Sequence, residues 1–557
     1  MRAKKLINKT LRIPSLIIVS LLLACSVDDN TTQGVIDVSK DNTPITRPNV
    51  LLIVADDLGF TDIGSFGSEI PTPNLDELAY KGMRLASLHA APACQQTRSM
   101  LIGSVPASHG IITRPPLEGG ERNNLLSLDW ATIPELLKNA GYATYMTGKW
   151  DLGMDQGYTP ATRGFDRSFV QLGASSSFFA EPLMFVNTTG FEEDGRPLEF
   201  SDLPEDFYVT NTYTEKMLGY LKSSPEDKPW FAYMPYTAPH WPLQLPEDWL
   251  DKNSGKYNAG YDVLRSQRVT QATAKGVIQD GFTLDGFQPI AVPWDELSEQ
   301  EQVHYSRAQE IYAGMIEHLD MSIGRVLTYL RETNQLNNTI VIFTSDHGAS
   351  IAEYGAASNS RYQFRGGPPL PNWIDNSLAN FGRKNSFIDH GVGFAEAATA
   401  PFARAKGSFA EGGLRSAAFV YYPKKVIEGA VSHSFMTMMD ILPTVLDAAG
   451  IDYPSGQFNG REIKDSYGVS AWPHLTGQSD TVHQGTSAGW AGSRGAALVK
   501  GNYKIIKEAP RARQAEVDWR LYNISIDPGE RNDLSSENPR LVTEMNKEWQ
   551  ANWDYKQ

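Results

Sequence analysis

Two cysteines, Cys25 and Cys94, are too few among 557 residues to make a disulfide scaffold. Basic residues are also in deficit, with Lys+Arg 50 against Asp+Glu 65 and a formal net charge of −15. That balance argues against nucleic acid as the partner, because a phosphate-backbone binder needs a basic surface. A small anionic substrate stays open, since a local cationic pocket can sit on an acidic protein. No internal repeat is visible. What is present is ordinary globular material, 41% hydrophobic and 21% charged, which excludes a disordered chain or a collagen-like repeat. The length suits one large α/β domain with a smaller companion.

The first residues read as a targeting segment. Arg2, Lys4, Lys5, Lys9 and Arg12 form a positive head. Ile13 to Ala24 is an apolar run too short to span a bilayer stably. It ends Leu22-Leu23-Ala24-Cys25, which resembles a bacterial lipobox, so Cys25 is expected to carry lipid after removal of residues 1–24. The expectation is an exported lipoprotein, held through its lipid anchor at the outer membrane or cell surface of a Gram-negative bacterium. Ser26-Val27-Asp28-Asp29 weakly resembles an acidic surface-export tag. Residues 25–46 are polar and aperiodic and read as a flexible tether.

Beyond the tether, strand and helix patterns alternate. Asn49 to Ala55 is a continuous apolar run, as expected of a central parallel strand covered on both faces. Thr132 to Asn139 reads as a helix, and Tyr142 to Met146, Trp230 to Met234 and Thr339 to Thr344 as further strands. Ile311, Met315, Leu319, Ile323, Val326 and Leu330 recur at helical spacing and predict one long amphipathic helix. This is α/β grammar with a mostly parallel sheet. Ala496 to Val499 and Tyr503 to Ile506 suggest short strands, with a helix near Pro539 to Trp553. The division expected is a large domain over 47–475 and an α+β subdomain over 476–557. Residues 357–405, rich in Gly, Pro and Asn, read as a long functional loop.

Ligands of open parallel sheets bind beyond the carboxyl ends of the strands. Four strand candidates here lead into polar groups: Asp56-Asp57, Ser345-Asp346-His347-Gly348, Gly148-Lys149-Trp150-Asp151 and Ala238-Pro239-His240-Trp241. One Asp after a strand is usually a cap or turn former. Converging carboxylates are different, because they need a cation to offset their repulsion. An oxygen-rich site favours Ca²⁺ or Mg²⁺, with His347 as a further ligand. In Cys94-Gln95-Gln96-Thr97-Arg98, a helix starting at the cysteine puts Arg98 one turn on along the same face. A helix N-terminus with Arg beside it suits an anion.

At this point the chain resembles the formylglycine-dependent type I sulfatases of the alkaline phosphatase superfamily, especially the bacterial arylsulfatase branch. The resemblance runs from about 47 to 550. It is carried by Pro48-Asn49-Val50-Leu51 through Asp57, Thr72-Pro73-Asn74-Leu75-Asp76, Cys94 to Gly103 and Gly148-Lys149-Trp150. It continues in Ala238 to Leu243, Ser345 to Gly348, Lys406, Glu411 to Arg415, Leu521 to Ile524 and Asp527 to Glu530.

The resemblance implies an alkaline phosphatase-like fold, a large mixed sheet sandwiched by helices. It implies that Cys94 is oxidised to formylglycine (3-oxoalanine) by a formylglycine-generating maturation enzyme, and that the hydrate of that aldehyde is the nucleophile. Asp56, Asp57, Asp346 and His347 would hold Ca²⁺, the modified Cys94 completing the shell. Arg98, Lys149 and Lys406 would neutralise sulfate, and His240 would protonate the leaving alcohol. The implied substrate is a sulfated glycan or an aryl sulfate.

Two positions depart from the family pattern. Gln96 stands where the maturation motif has Pro, and Asp151 stands where the family usually has a His that triggers release of the covalent sulfate. His347 replaces a common Asn, a milder change. Two other readings remain open: a phosphodiester or phosphonate hydrolase of the same superfamily, and a non-catalytic binder of sulfated glycans. His89, His109, His304, His318, His433, His474 and His483 read as packing or surface residues. His390, Arg361, Arg365 and Trp373 lie in or near the long loop and are candidates for substrate contact.

Overall fold

The strand Asn49–Ala55 is buried along its whole length. Its side chains alternate between two apolar clusters: Leu51 and Ile53 in one, Val50, Leu52 and Val54 in the other. A strand with a period of two and apolar cover on both faces sits in the middle of a layered domain, as its sequence predicts. The computed structural model describes residues 47–114, 123–181, 190–352, 372–509 and 517–554. Residues 25–46, read as a tether, and Cys25, expected to carry lipid, lie outside the described residues, as do Arg361 and Arg365.

Around Asn49–Ala55 runs a ten-stranded mixed sheet. Thr339–Ser345 pairs with it on one side and Trp230–Pro235 on the other, both parallel. Ala143–Lys149 and then Arg167–Gln171 continue the parallel set. Ala418–Tyr421 beyond Thr339–Ser345, and Phe191–Glu193 beyond Arg167–Gln171, run antiparallel. In this register Ala55 lies beside Ser345 and Val54 beside Pro235. The carboxyl ends of three parallel strands therefore open at one edge, where Asp56, Asp346 and the segment leading to His240 begin.

The predicted long helix is Glu299–Glu332, and Ile311, Met315, Leu319, Ile323, Val326 and Leu330 are all buried on it. It begins well before Ile311 because Ser298 and Glu301 form a reciprocal capping box. Part of the stretch read as loop is also helical, over Gly391–Ala398. Its glycines read as breakers but serve close packing. A side chain at Gly393 would lie 2.4 Å from the ring of Tyr261, on the neighbouring helix Gly260–Ala274.

The C-terminal strands Ser487–Gly492, Gly495–Lys500, Tyr503–Glu508 and Arg520–Asn523 form an antiparallel sheet in that order. Ala497, Val499 and Ile505 of this sheet, with Trp549 of the helix Pro539–Asn552, belong to the same apolar cluster as Val50 and Leu52. The small sheet thus shares one core with a face of the large one.

Candidate active site

The helix Cys94–Gly103 begins at the cysteine and carries Arg98 one turn later. The turn before it is tied by Thr97, whose hydroxyl accepts from the Ala91 amide at 2.9 Å and donates to the Ala91 carbonyl at 3.2 Å. This lays Cys94 over the strand ends. Its sulfur stands 3.2 Å from His347 Nε2, 3.5 Å from Asp56 Oδ1 and 3.5 Å from Lys406 Nζ.

Three cations meet three carboxylates there. Lys149 Nζ lies 2.6 Å from Asp56 Oδ2, and Lys406 Nζ 2.5 Å from Asp57 Oδ1. Arg98 lies 3.4 Å from both Asp56 and Asp346, while its other nitrogen donates to the Lys149 carbonyl at 2.7 Å. His240 Nε2 is 3.5 Å from Asp57 Oδ2. Asp56, Asp57, Cys94, Arg98, Lys149, His240, Asp346, His347 and Lys406, all proposed from the sequence, thus converge on one point. Asp151 follows the strand end in a left-handed conformation, φ 53°, and its amide donates to the Leu172 carbonyl at 3.1 Å.

Burial and charge set the protonation states. Burial pushes the Asp56 carboxyl up, but Lys149 and then His240, Arg98 and Lys406 outweigh it and hold the group well below its ordinary range. Asp57 is also lowered against its burial, by His240, Lys406 and His347. Asp346 goes the other way, raised by burial and by Asp56. Burial, with Asp56 adding, pushes the Cys94 thiol well up. Burial lowers His240 to about 4. Asp151 is raised by burial, with Lys149 and Arg98 opposing.

The donor set fits a hard cation. His347 Nδ1 lies 2.8 Å from the Gly348 carbonyl, which assigns the ring proton to Nδ1. The lone pair on Nε2 then faces Asp57 Oδ1 at 3.4 Å and Asp346 Oδ1 at 3.5 Å. With Nδ1 so engaged, Nε2 is left to offer its lone pair to a cation held among these carboxylates. Asp57 Oδ2 is buried with no hydrogen-bond partner, a further free donor site. Ligand atoms of Asp56, Cys94, Asp346 and His347 lie within 4.8 Å of one another. Oxygen donors with one imidazole suit Ca²⁺ or Mg²⁺ better than a soft metal.

Other candidates fall elsewhere. His390 is buried, stacked on Tyr312 at 4.0 Å, with Nδ1 2.9 Å from Gln309. Trp373 is 40% exposed. Of the histidines read as packing or surface residues, His89 is fully buried 2.9 Å from Glu411, and His318 packs edge-on against Trp249. Sequence reasoning missed Tyr312. Its hydroxyl donates 2.7 Å to Asp62, which also pairs with Arg268, and lies 3.1 Å from the Asp57 carbonyl, steadying that turn. No local motif marks it, because it sits mid-helix among apolar neighbours.

A mostly parallel sheet whose strand ends gather carboxylates, two imidazoles and buried cations around one helix N-terminus suits the hydrolysis of anionic esters. The sulfatase family model matches residues 48–451, and the chain belongs to the sulfatase family, the sulfuric ester hydrolases with an alkaline phosphatase-like fold. An uncharacterized sulfatase of Schizosaccharomyces pombe is 38% identical over 90% of this chain and 93% of its own. An arylsulfatase of Klebsiella aerogenes is 35% identical over 76% and 91%. Among solved structures, Ps i-CgsB in complex with k-i-k-neocarrahexaose superposes with a TM-score of 0.65 at 23% identity, covering 92% of this chain and 94% of that one.

Proposed function

We propose that the protein hydrolyses sulfate monoesters of a glycan, using formylglycine made from Cys94 and a Ca²⁺ ion held by Asp56, Asp57, Asp346 and His347. The observation that carries this reading is the state of Cys94. Its thiol is buried and pushed up by burial and Asp56, so it is a poor thiolate nucleophile, yet it stands among the cations an anionic ester requires. Oxidation to formylglycine supplies an aldehyde hydrate in place of that thiol. When bound, a calcium ion would supply positive charge that offsets the carboxylates of Asp56, Asp57 and Asp346 and would favour ionisation of a hydroxyl beside it.

The side chains have separable tasks. Arg98, Lys149 and Lys406 offset the sulfate charge and orient its oxygens. His240 faces its carboxylate neighbour through Nε2, because Nδ1 lies 2.5 Å from the Trp241 carbonyl. Burial keeps its ring neutral in the free protein; a bound anion favours the imidazolium, and Nε2 then holds the proton for the leaving oxygen. Asp151, raised by burial, takes the place of the usual histidine as proton acceptor.

The glycan assignment draws support from the oligosaccharide bound to Ps i-CgsB. Export and lipidation at Cys25 rest on the positive head and lipobox of residues 1–25. The decisive comparison is turnover of p-nitrophenyl sulfate against bis-p-nitrophenyl phosphate, with Cys94→Ala as control. The sulfatase reading expects the sulfate ester to be preferred and the control to be inactive but folded. Preference for the phosphodiester would favour a phosphodiesterase. Binding of sulfated glycan without turnover of either ester would favour a binding protein.

A further inference from the structure

Lys406 is delivered on an irregular segment, before the short helix Glu411–Leu414. A lysine side chain is a flexible stem, so where its ammonium stands depends on how firmly the backbone is held. The backbone here is held from two sides. The Lys406 amide donates to the Ala349 carbonyl at 3.1 Å, and the Gly407 amide to the Pro92 carbonyl at 2.8 Å, two residues before Cys94. The Gly407 carbonyl accepts a 3.0 Å bond from Arg494. Gly407 has φ 85°, which a residue with a side chain adopts only with strain.

Arg494 stands at the tip of the hairpin between Ser487–Gly492 and Gly495–Lys500. The next residues of the segment meet the same sheet. Ser408 donates 2.7 Å to Glu508. Phe409 lies over Gly492 and Gly495, where an added side-chain carbon would come within 3.0 Å of its ring. Glu411 pairs at 2.8 Å with Lys504, which is fully buried and also pairs with Glu530 at 2.8 Å.

We propose that the C-terminal sheet belongs to the working site, with Arg494 as a positioning residue that fixes the Gly407 peptide and thereby sets where the Lys406 ammonium meets sulfate. The inference rests on Lys406 being a sulfate-binding cation, as proposed above. It assigns the small sheet a role in anion affinity in addition to its share of the core.

The experiment is calorimetric titration of sodium sulfate into the calcium-loaded full-length protein. Arg494→Ala is expected to weaken sulfate about tenfold, the scale of losing a charge-assisted hydrogen bond at the site it orders. Arg494→Lys should restore part of the affinity. In a Lys406→Ala background, Arg494→Ala should cost nothing further, because the group it positions is gone. A direct charge effect or a general loosening would persist in that background, and additive losses would overturn the proposal. Unchanged affinity in Arg494→Ala would overturn it too. Should Arg494→Ala fold poorly, Glu508→Gln, which loosens Ser408, must give the same non-additive pattern. If Lys406→Ala leaves sulfate affinity unchanged, the reading of Lys406 fails and takes this inference with it. If Lys406→Ala weakens sulfate but Arg494→Ala does not, only this inference fails.

Discussion

Replacing Lys149 by methionine tests whether the basic groups and a metal ion share the same carboxylates. Lys149 Nζ is 2.6 Å from Asp56 Oδ2, and both side chains are fully buried. At an effective dielectric near 20 that pair attracts by about 6 kcal/mol before desolvation is counted. Removing one partner of a buried pair typically costs about 3–5 kcal/mol, because the other charge is left behind. Asp56 would keep Arg98, at the longer distance of 3.4 Å, together with the pull of His240 and Lys406. In chelator, Lys149→Met should therefore lose about 3–5 kcal/mol in urea unfolding. With saturating calcium the cation takes over part of that compensation, and the loss should shrink by about 1–3 kcal/mol, the usual size of a coupling between sites. By reciprocity the variant should bind calcium more tightly, roughly 5- to 150-fold, in a calorimetric titration. Equal losses with and without calcium, together with unchanged calcium affinity, would refute the idea that Lys149 and a metal compete for Asp56.

Other expectations follow from single groups. Asp151→Asn should lower turnover by about 10²-fold or more in protein that still unfolds cooperatively in urea; full activity would place Asp151 outside the chemistry. Asp151→His should keep activity with its pH optimum moved upward, because an imidazole titrates above a carboxyl, and an unmoved profile would count against the base assignment. Asp320, far along the chain, accepts bonds from the Asn74 and Leu75 amides, and burial raises its carboxyl to about 6 from 3.8. A raised carboxyl favours the folded state while protonated, so its contribution is full below about pH 4 and lost as pH rises through 6, about 3 kcal/mol in all. Asp320→Asn should flatten that part of the stability-versus-pH curve, and an unchanged slope would show that Asp320 does not titrate there.

The centre of the fold was legible because its strands are apolar without interruption. Asn49–Ala55 was read to its limits, and Thr339–Ser345 and Trp230–Pro235 to within one residue. Their carboxyl ends lead directly into Asp56, Asp346 and the segment of His240, so these positions follow from the apolar runs alone. Less legible were features that depend on partners distant in sequence. The helix Gly391–Ala398 hides behind glycines whose reason is close packing, Gly391 on the ring of Tyr305 and Gly393 on that of Tyr261. Tyr312 supports Asp57 from a helix 255 positions away, and Arg494 reaches Gly407 across 87. Nothing in the local sequence announces such pairs, since tertiary packing alone brings them together.

The central claim is that Cys94, raised and buried as a thiol, works only after conversion to formylglycine. Its most direct test is the mass of the Cys94 peptide, taken from protein that is turning over a sulfate ester in the same preparation. Conversion replaces the thiol carbon's SH and one hydrogen with a carbonyl oxygen and lowers the peptide mass by about 18 Da. This lighter peptide should be present, and its fraction should track specific activity across preparations. Full activity with the peptide entirely at the unmodified cysteine mass would contradict it.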